Sequence, residues 1–189
     1  MTDDALAGGS ADPYSRKSIC LALHSLHAES GEYWSTFDTP TFLSPLGTAW
    51  SPAENVRHLT KSMRAVTTGL RVPGLLLLLA YRGGPGRSRT SLEVRDVYLA
   101  RLALGASAGR FTPEPRQAPP DPAAERARIM DYHARAVDGL SAAIGRWNER
   151  ALDRRRLPHP LLGALTVREM LLFTLYHNRH HVENVRRRR

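Results

Sequence analysis

His177 and His181 stand four residues apart in a stretch, Thr166 to Arg186, that contains neither Pro nor Gly. At about 100° per residue, Met170, Phe173, Thr174, His177, His181, Asn184 and Val185 fall on one helical face, while Leu175, Arg179 and Arg186 lie away from it. Two imidazoles on adjacent turns of one face can reach a single metal ion. The plainer alternative is a histidine-rich turn, because His180 adjoins the pair. At the rim of the face, His180 is given a role behind the ligands or none.

A third imidazole has to come from another segment. Ser51-Pro52-Ala53-Glu54 is a strong helix start, with Ser as N-cap, Pro at the first helical position and Glu closing a capping box. The helix is expected to run to about Arg71, ahead of Pro73-Gly74. Arg57, Thr60, Lys61, Arg64, Thr67, Thr68 and Arg71 form a polar wedge on its wheel, and His58 lies toward the opposite, interior edge. If this helix and the last are antiparallel neighbours, His58 is about 10 Å inside the one and His181 about 8–12 Å from the end of the other. His177 is then one turn deeper. Three neutral imidazoles could share one cation and leave a position for water or substrate, the arrangement of a catalytic rather than a structural metal. Imidazole suits Zn, Ni and Fe alike, so the divalent metal is not specified.

Other residues are weaker candidates. Glu54, one turn before His58, is a candidate acid or base whose simpler role is the helix cap. Tyr132, His133 and Asn55 are read as pocket lining that can polarise a substrate, Tyr132 being with Glu54 a weak catalytic candidate, and a core role is the alternative for His133. His24 and His27 are spaced i, i+3, which suits ligands but is commoner at a packing face. His159 is read as exposed, and the single cysteine, Cys20, as core.

The elements that must position these residues are helical. A first helix is expected from about Ser15 to Gly31, which ends it, and an ordered aromatic loop from Tyr33 to Trp50. Between Pro73 and Pro120 the pattern is broken: Leu75 to Tyr81 reads as a short buried helix, Gly83 to Arg89 as a flexible basic loop, and Ser91 to Leu104 as helical. Asp121-Pro122 opens a third main helix to about Arg150, with Ile129, His133, Val137, Leu140, Ile144 and Trp147 on one stripe. Leu157 to Gly163 links into the last helix, which opens with the capping box Thr166 to Glu169. The expected class is all-α, a four-helix bundle with a long crossover between its second and third helices. Residues 1–13 read as a flexible arm and 14–189 as one domain.

Composition bounds the setting. One cysteine excludes an intrachain disulfide and a Cys-based zinc site, which fits a reducing interior. Met1 to Ser10 has no secretory pattern, and Leu75 to Tyr81 is far short of a spanning helix, so a cytoplasmic protein without a membrane partner is expected. The net charge is +9, with 27 Lys and Arg against 18 Asp and Glu. All of these basic residues but Lys17 and Lys61 are Arg, for which a compositional bias is the simpler reading; the functional one is an acidic partner such as nucleic acid. Yet Arg154 to Arg156 and Arg186 to Arg189 flank the last helix at opposite ends, about 30 Å apart. Two such patches make no continuous stripe, and nucleic acid is ranked last among the partners.

Two stretches carry a resemblance. Trp50-Ser51-Pro52-Ala53-Glu54-Asn55-Val56-Arg57-His58-Leu59 resembles the W-S-x-x-E-x-x-x-H-L opening of the second helix in the DinB-like (damage-inducible) superfamily. Leu165 to Glu169, followed by His177-Asn178-Arg179-His180-His181, is similar to that superfamily's last helix and its H-x-x-x-H pair. The resemblance implies a four-helix bundle, often a homodimer, holding a divalent metal through His58, His177 and His181. It implies a small-molecule substrate too, since related groups include S-transferases and isomerases that use a low-molecular-weight thiol such as bacillithiol, mycothiol or glutathione. Others in the superfamily have no assigned activity, so a metal-binding or stress-response protein without turnover is the alternative. Asn184 stands where members often carry Gln, and Leu70 to Phe111 is longer and more apolar than in the simplest members.

Overall fold

The computed structural model describes residues 14–81, 88–114 and 118–189. The expected arm, residues 1–13, lies outside them. Helices dominate, in the order α1 (Arg16–Ser35), α2 (Thr39–Leu43), α3 (Pro52–Arg71), α4 (Gly74–Ala80) and α5 (Ser91–Ala103). A 3-10 turn, Gly109–Phe111, follows, then α6 (Pro122–Gly145), α7 (Glu149–Arg154), a hairpin of β1 (Arg156–His159) and β2 (Gly163–Thr166), and α8 (Val167–Arg186).

Contacts between side chains fix how the four long helices run. Arg57 meets Glu125, Thr60 meets His133, and the Trp147 indole donates to the Leu70 carbonyl, so α3 and α6 run parallel, as a crossover requires. Asn55 meets His181 and His58 meets His177, so α3 and α8 are antiparallel. Arg16 reaches Gly145, His24 reaches Ser141 and Arg126 reaches Trp34, which sets α1 antiparallel to α6. The result is an all-α four-helix bundle of α1, α3, α6 and α8.

Caps decide where the main helices begin. Ser51 and Thr166 each accept from the backbone N–H three residues on, and Glu54 and Glu169 return the contact, so both reciprocal boxes form. Ile19, Leu23, Met63, Leu140, Ile144, Leu171 and Phe173 fill one part of the core, and Trp34, Phe42, Val56, Val182 and Val185 another.

Several expectations need correcting. Gly31 does not end α1, which continues to Ser35 because Trp34 buries itself one turn later and the stop comes at Thr36. The third main helix ends at Gly145, since Trp147 turns inward and Asn148 caps a separate short helix, α7. Thr60 and Thr67 of the supposed polar wedge are buried, each hydroxyl returning its hydrogen to the carbonyl four residues back. The link before α8 is a β-hairpin. The leucines of α4 are not buried: Leu77 alone is covered, while Leu75, Leu76, Leu78 and Leu79 are exposed. Of the expected basic loop, residues 83–87 lie outside the described residues. Ser88 and Arg89 are held, the first by Asp153 and Thr166 and the second by Glu169.

Candidate metal centre

The antiparallel pairing of α3 and α8 brings His58, His177 and His181 together. His58 Nε2 is 3.1 Å from His177 Nε2, which is 3.2 Å from His181 Nε2. One nitrogen from each ring can be chosen so that all lie within 4.8 Å of one another. All three side chains are buried.

Hydrogen bonds behind His58 and His181 set their tautomers. His58 Nδ1 is 2.9 Å from the Phe111 carbonyl, which can only accept, so Nδ1 carries the proton. His181 Nδ1 is 2.7 Å from Asn55 Oδ1. The Asn55 amide is oriented by its Nδ2, which donates to the carbonyls of Ser51 and Trp50, so its oxygen must accept and His181 Nδ1 must donate. Each ring therefore turns an Nε2 lone pair toward His177 Nε2. Burial lowers the pKa of His58, His177 and His181, the last two strongly, and keeps the imidazoles neutral. Three neutral rings, two of them with Nε2 lone pairs fixed from behind, are what a divalent cation requires. The donor set fits one.

Aromatic rings pack against the cluster. Trp50 stacks on His181 at 5.9 Å between centroids, and Phe173 on His177 at 5.1 Å. The 3-10 turn is pinned as well, because Lys61 Nζ donates to the Arg110 carbonyl beside Phe111. In front of the histidines lies a cleft of about 640 Å³, walled by α3, α5, α8, the hairpin and residues 106–112.

The weaker candidates fall elsewhere. Asn55 does not line the cleft but stands behind His181. Glu54 closes the Ser51 cap through Oε2, 2.7 Å from the Ser51 N–H, and is not in the cleft wall. Tyr132 lines not this cleft but a second cavity of about 410 Å³ that shares His58, Phe111 and Thr112 with it, and is half-exposed beneath the guanidinium groups of Arg64 and Arg135. His133 packs between helices, its Nδ1 on Thr60 Oγ1 at 3.0 Å and its ring 5.4 Å from that of His27. Burial takes its pKa down to about 3. His24 donates to or accepts from Ser141, and Cys20 packs against the core.

His159, expected to be exposed, is half-buried and lines the cleft. Its Nδ1 accepts from the N–H groups of Leu161 and Leu162, and its ring meets Phe173 edge-on at 4.5 Å. Tyr98 also reaches the cleft, edge-on to His177, and its hydroxyl pKa is pushed up to about 12 by burial. Neither residue was legible as cleft lining, because α5 and the hairpin reach α8 only through the tertiary fold.

Residues 38–185 match the family model of the DinB superfamily. No curated protein and no solved structure matches the chain.

Proposed function

Because the chain belongs to the DinB superfamily, we propose that it binds one divalent metal ion through His58, His177 and His181 and acts as a metal-dependent enzyme on a small molecule. The observation that carries this reading is the meeting of three neutral imidazoles, two of them with tautomers set from behind, at the wall of a cleft large enough for a ligand. A bound divalent cation lowers the pKa of a thiol or water it holds, making thiolate or hydroxide available near neutral pH. The chain's own part is to orient the donors through Asn55 and the Phe111 carbonyl, to keep them unprotonated by burial, and to shield the site with Trp50 and Phe173.

The reaction class that suits this is S-transfer, isomerisation with a low-molecular-weight thiol, or hydrolysis. A metal-binding protein without turnover is the second reading, and the open cleft beside the histidines favours the first. The reading includes a homodimer and no nucleic acid partner. Arg186 and Arg189, the ends of one basic run, lie over the rings of Tyr33 and Phe37. Among the described residues no single helix is long and apolar enough to cross a membrane.

Metal analysis tests the core of the reading. About one divalent ion per chain is expected in the wild type, with loss in His58→Ala and in His177→Ala. Full metal in both variants moves the site elsewhere. A panel of thiols with an electrophilic substrate then separates turnover from storage.

A further inference from the structure

The cleft is longer than a metal centre needs. Its wall on α3 runs from His58 through Ser62, Ala65 and Val66 to Gly69, and the facing wall on α8 runs from His181 through His177 and Phe173 to Met170. Each wall is about 16 Å long at 1.5 Å per residue. Polarity is divided unevenly along it. Arg110, Thr112, His180 and Asn184 lie at the histidine end, the first two through the turn that holds His58. The far end is closed by Leu157, Pro158 and Leu161 of the hairpin against Gly69 and Met170, and no charged side chain among the described residues lines it. Gly69 allows this closure, since a Cβ there would stand 3.0 Å from Leu157 Cδ2. His159 is the polar group of the hairpin wall, and its Nδ1 is already engaged by two backbone N–H groups.

We propose that the cleft takes an amphipathic small molecule, with a Lewis-basic head at the three histidines and an extended apolar tail lying between α3 and α8 as far as Gly69 and Met170. The place of the head rests on the metal reading above, whereas the tail channel stands on its own lining. With carbon–carbon bonds of about 1.5 Å in a staggered chain, the channel accommodates a tail of roughly a dozen carbons. Ala65 lies near its midpoint.

Calorimetric titration with n-alkanoates, from hexanoate to tetradecanoate below their micellar concentrations, tests the channel on zinc-loaded protein and on His177→Ala. Affinity is expected to rise about fourfold per added methylene and to level off near dodecanoate. Ala65→Phe fills the middle of the channel, and Val66→Phe does so from the adjoining position. In each, the plateau moves to shorter chains by several carbons while zinc content and circular dichroism stay at wild-type values. Equal affinity for hexanoate and dodecanoate, or a plateau unmoved in both folded variants, overturns the proposal. A flat series on protein that holds zinc removes the tail channel and leaves the metal reading standing. A rising series on wild-type protein that cannot be loaded with zinc does the reverse, whereas on His177→Ala, which loses the metal, the rise with chain length is expected to persist at lower affinity throughout.

Discussion

Asn55 and the Phe111 carbonyl touch no metal in this arrangement, yet they decide which nitrogen of His181 and of His58 is free to bind one. The i, i+4 spacing of His177 and His181 and the helix start at Ser51 made the three rings legible in the sequence, because both depend only on local periodicity and capping. The wheel also put Asn55 on the interior side, but a wheel gives a direction and not a partner, so its bond to His181 could not be read. Phe111 was further out of reach, since a backbone carbonyl has no signature. If Asn55 acts by orienting His181, Asn55→Leu weakens metal binding about 10–100-fold, the range for groups that support a ligand from behind. Asn55→Asp keeps an acceptor for the Nδ1 proton but loses the donors to the Ser51 and Trp50 carbonyls, so its affinity is expected to fall between those of the wild type and the Leu variant. Competition against a chelator of known affinity measures both, and a wild-type affinity in the Leu variant would remove Asn55 from the site.

Elements were legible where a cap or a period announced them and illegible where only distant partners did. The hairpin is a case of the second kind: four residues per strand with Pro158 inside one reads as a link, because proline cannot donate to a ladder and is confined to edges. Its stability comes from Leu157 packing into the space left by Gly69 and from Leu165 in the core. Arg168 is the strongest example. At 1% exposure it donates from Nε to Asp153 at 2.7 Å, from Nη2 to Glu149 Oε2 at 3.0 Å, and to the Tyr14 carbonyl, while its guanidinium lies over the Tyr14 ring at 4.1 Å. It thereby ties the start of α1 and α7 to the first turn of α8, and those partners are 15 to 154 positions away in the chain. Removing one member of a buried ion pair costs about 3–5 kcal/mol. Asp153 and Glu149 keep part of their solvent, so Arg168→Met is expected to cost about 2–3 kcal/mol. Thermal unfolding reads it, and a loss below about 1 kcal/mol means the pin carries little.

At the scale of the molecule the crossover was legible, because two long helices separated by some fifty residues of broken pattern are expected to lie parallel, whereas the burial of α4 was misjudged from its composition alone. Leu75, Leu78 and Leu79 share one exposed face by their i, i+3 and i+4 spacing, and the homodimer in our reading would meet there. Sedimentation analysis is expected to show a dimer for the wild type and monomers for Leu75→Lys with Leu79→Lys; a wild-type monomer removes that part. A second whole-molecule property follows from the buried imidazoles. Burial lowers the pKa of His133 to about 3 and of His159 to about 4, and it lowers His27, His58, His177 and His181 as well. Around His133 the charged and titratable neighbours are His27 and, acting on that ring, Asp138 and His24. Unfolded histidines titrate near 6.5, so below that pH the unfolded chain takes up protons that the native chain refuses, and stability rises with pH through this window. For metal-free protein, acidification from pH 6.5 towards 4.5 therefore removes stability, His133 alone contributing about 1.4 kcal/mol per pH unit. Urea midpoints in the presence of a chelator are expected to be level between pH 7 and 8.5 and to fall steadily below 6.5. His133→Leu lowers the midpoint at neutral pH but flattens the acid slope by close to one proton, and an unchanged slope in that variant means His133 is not held neutral by the fold.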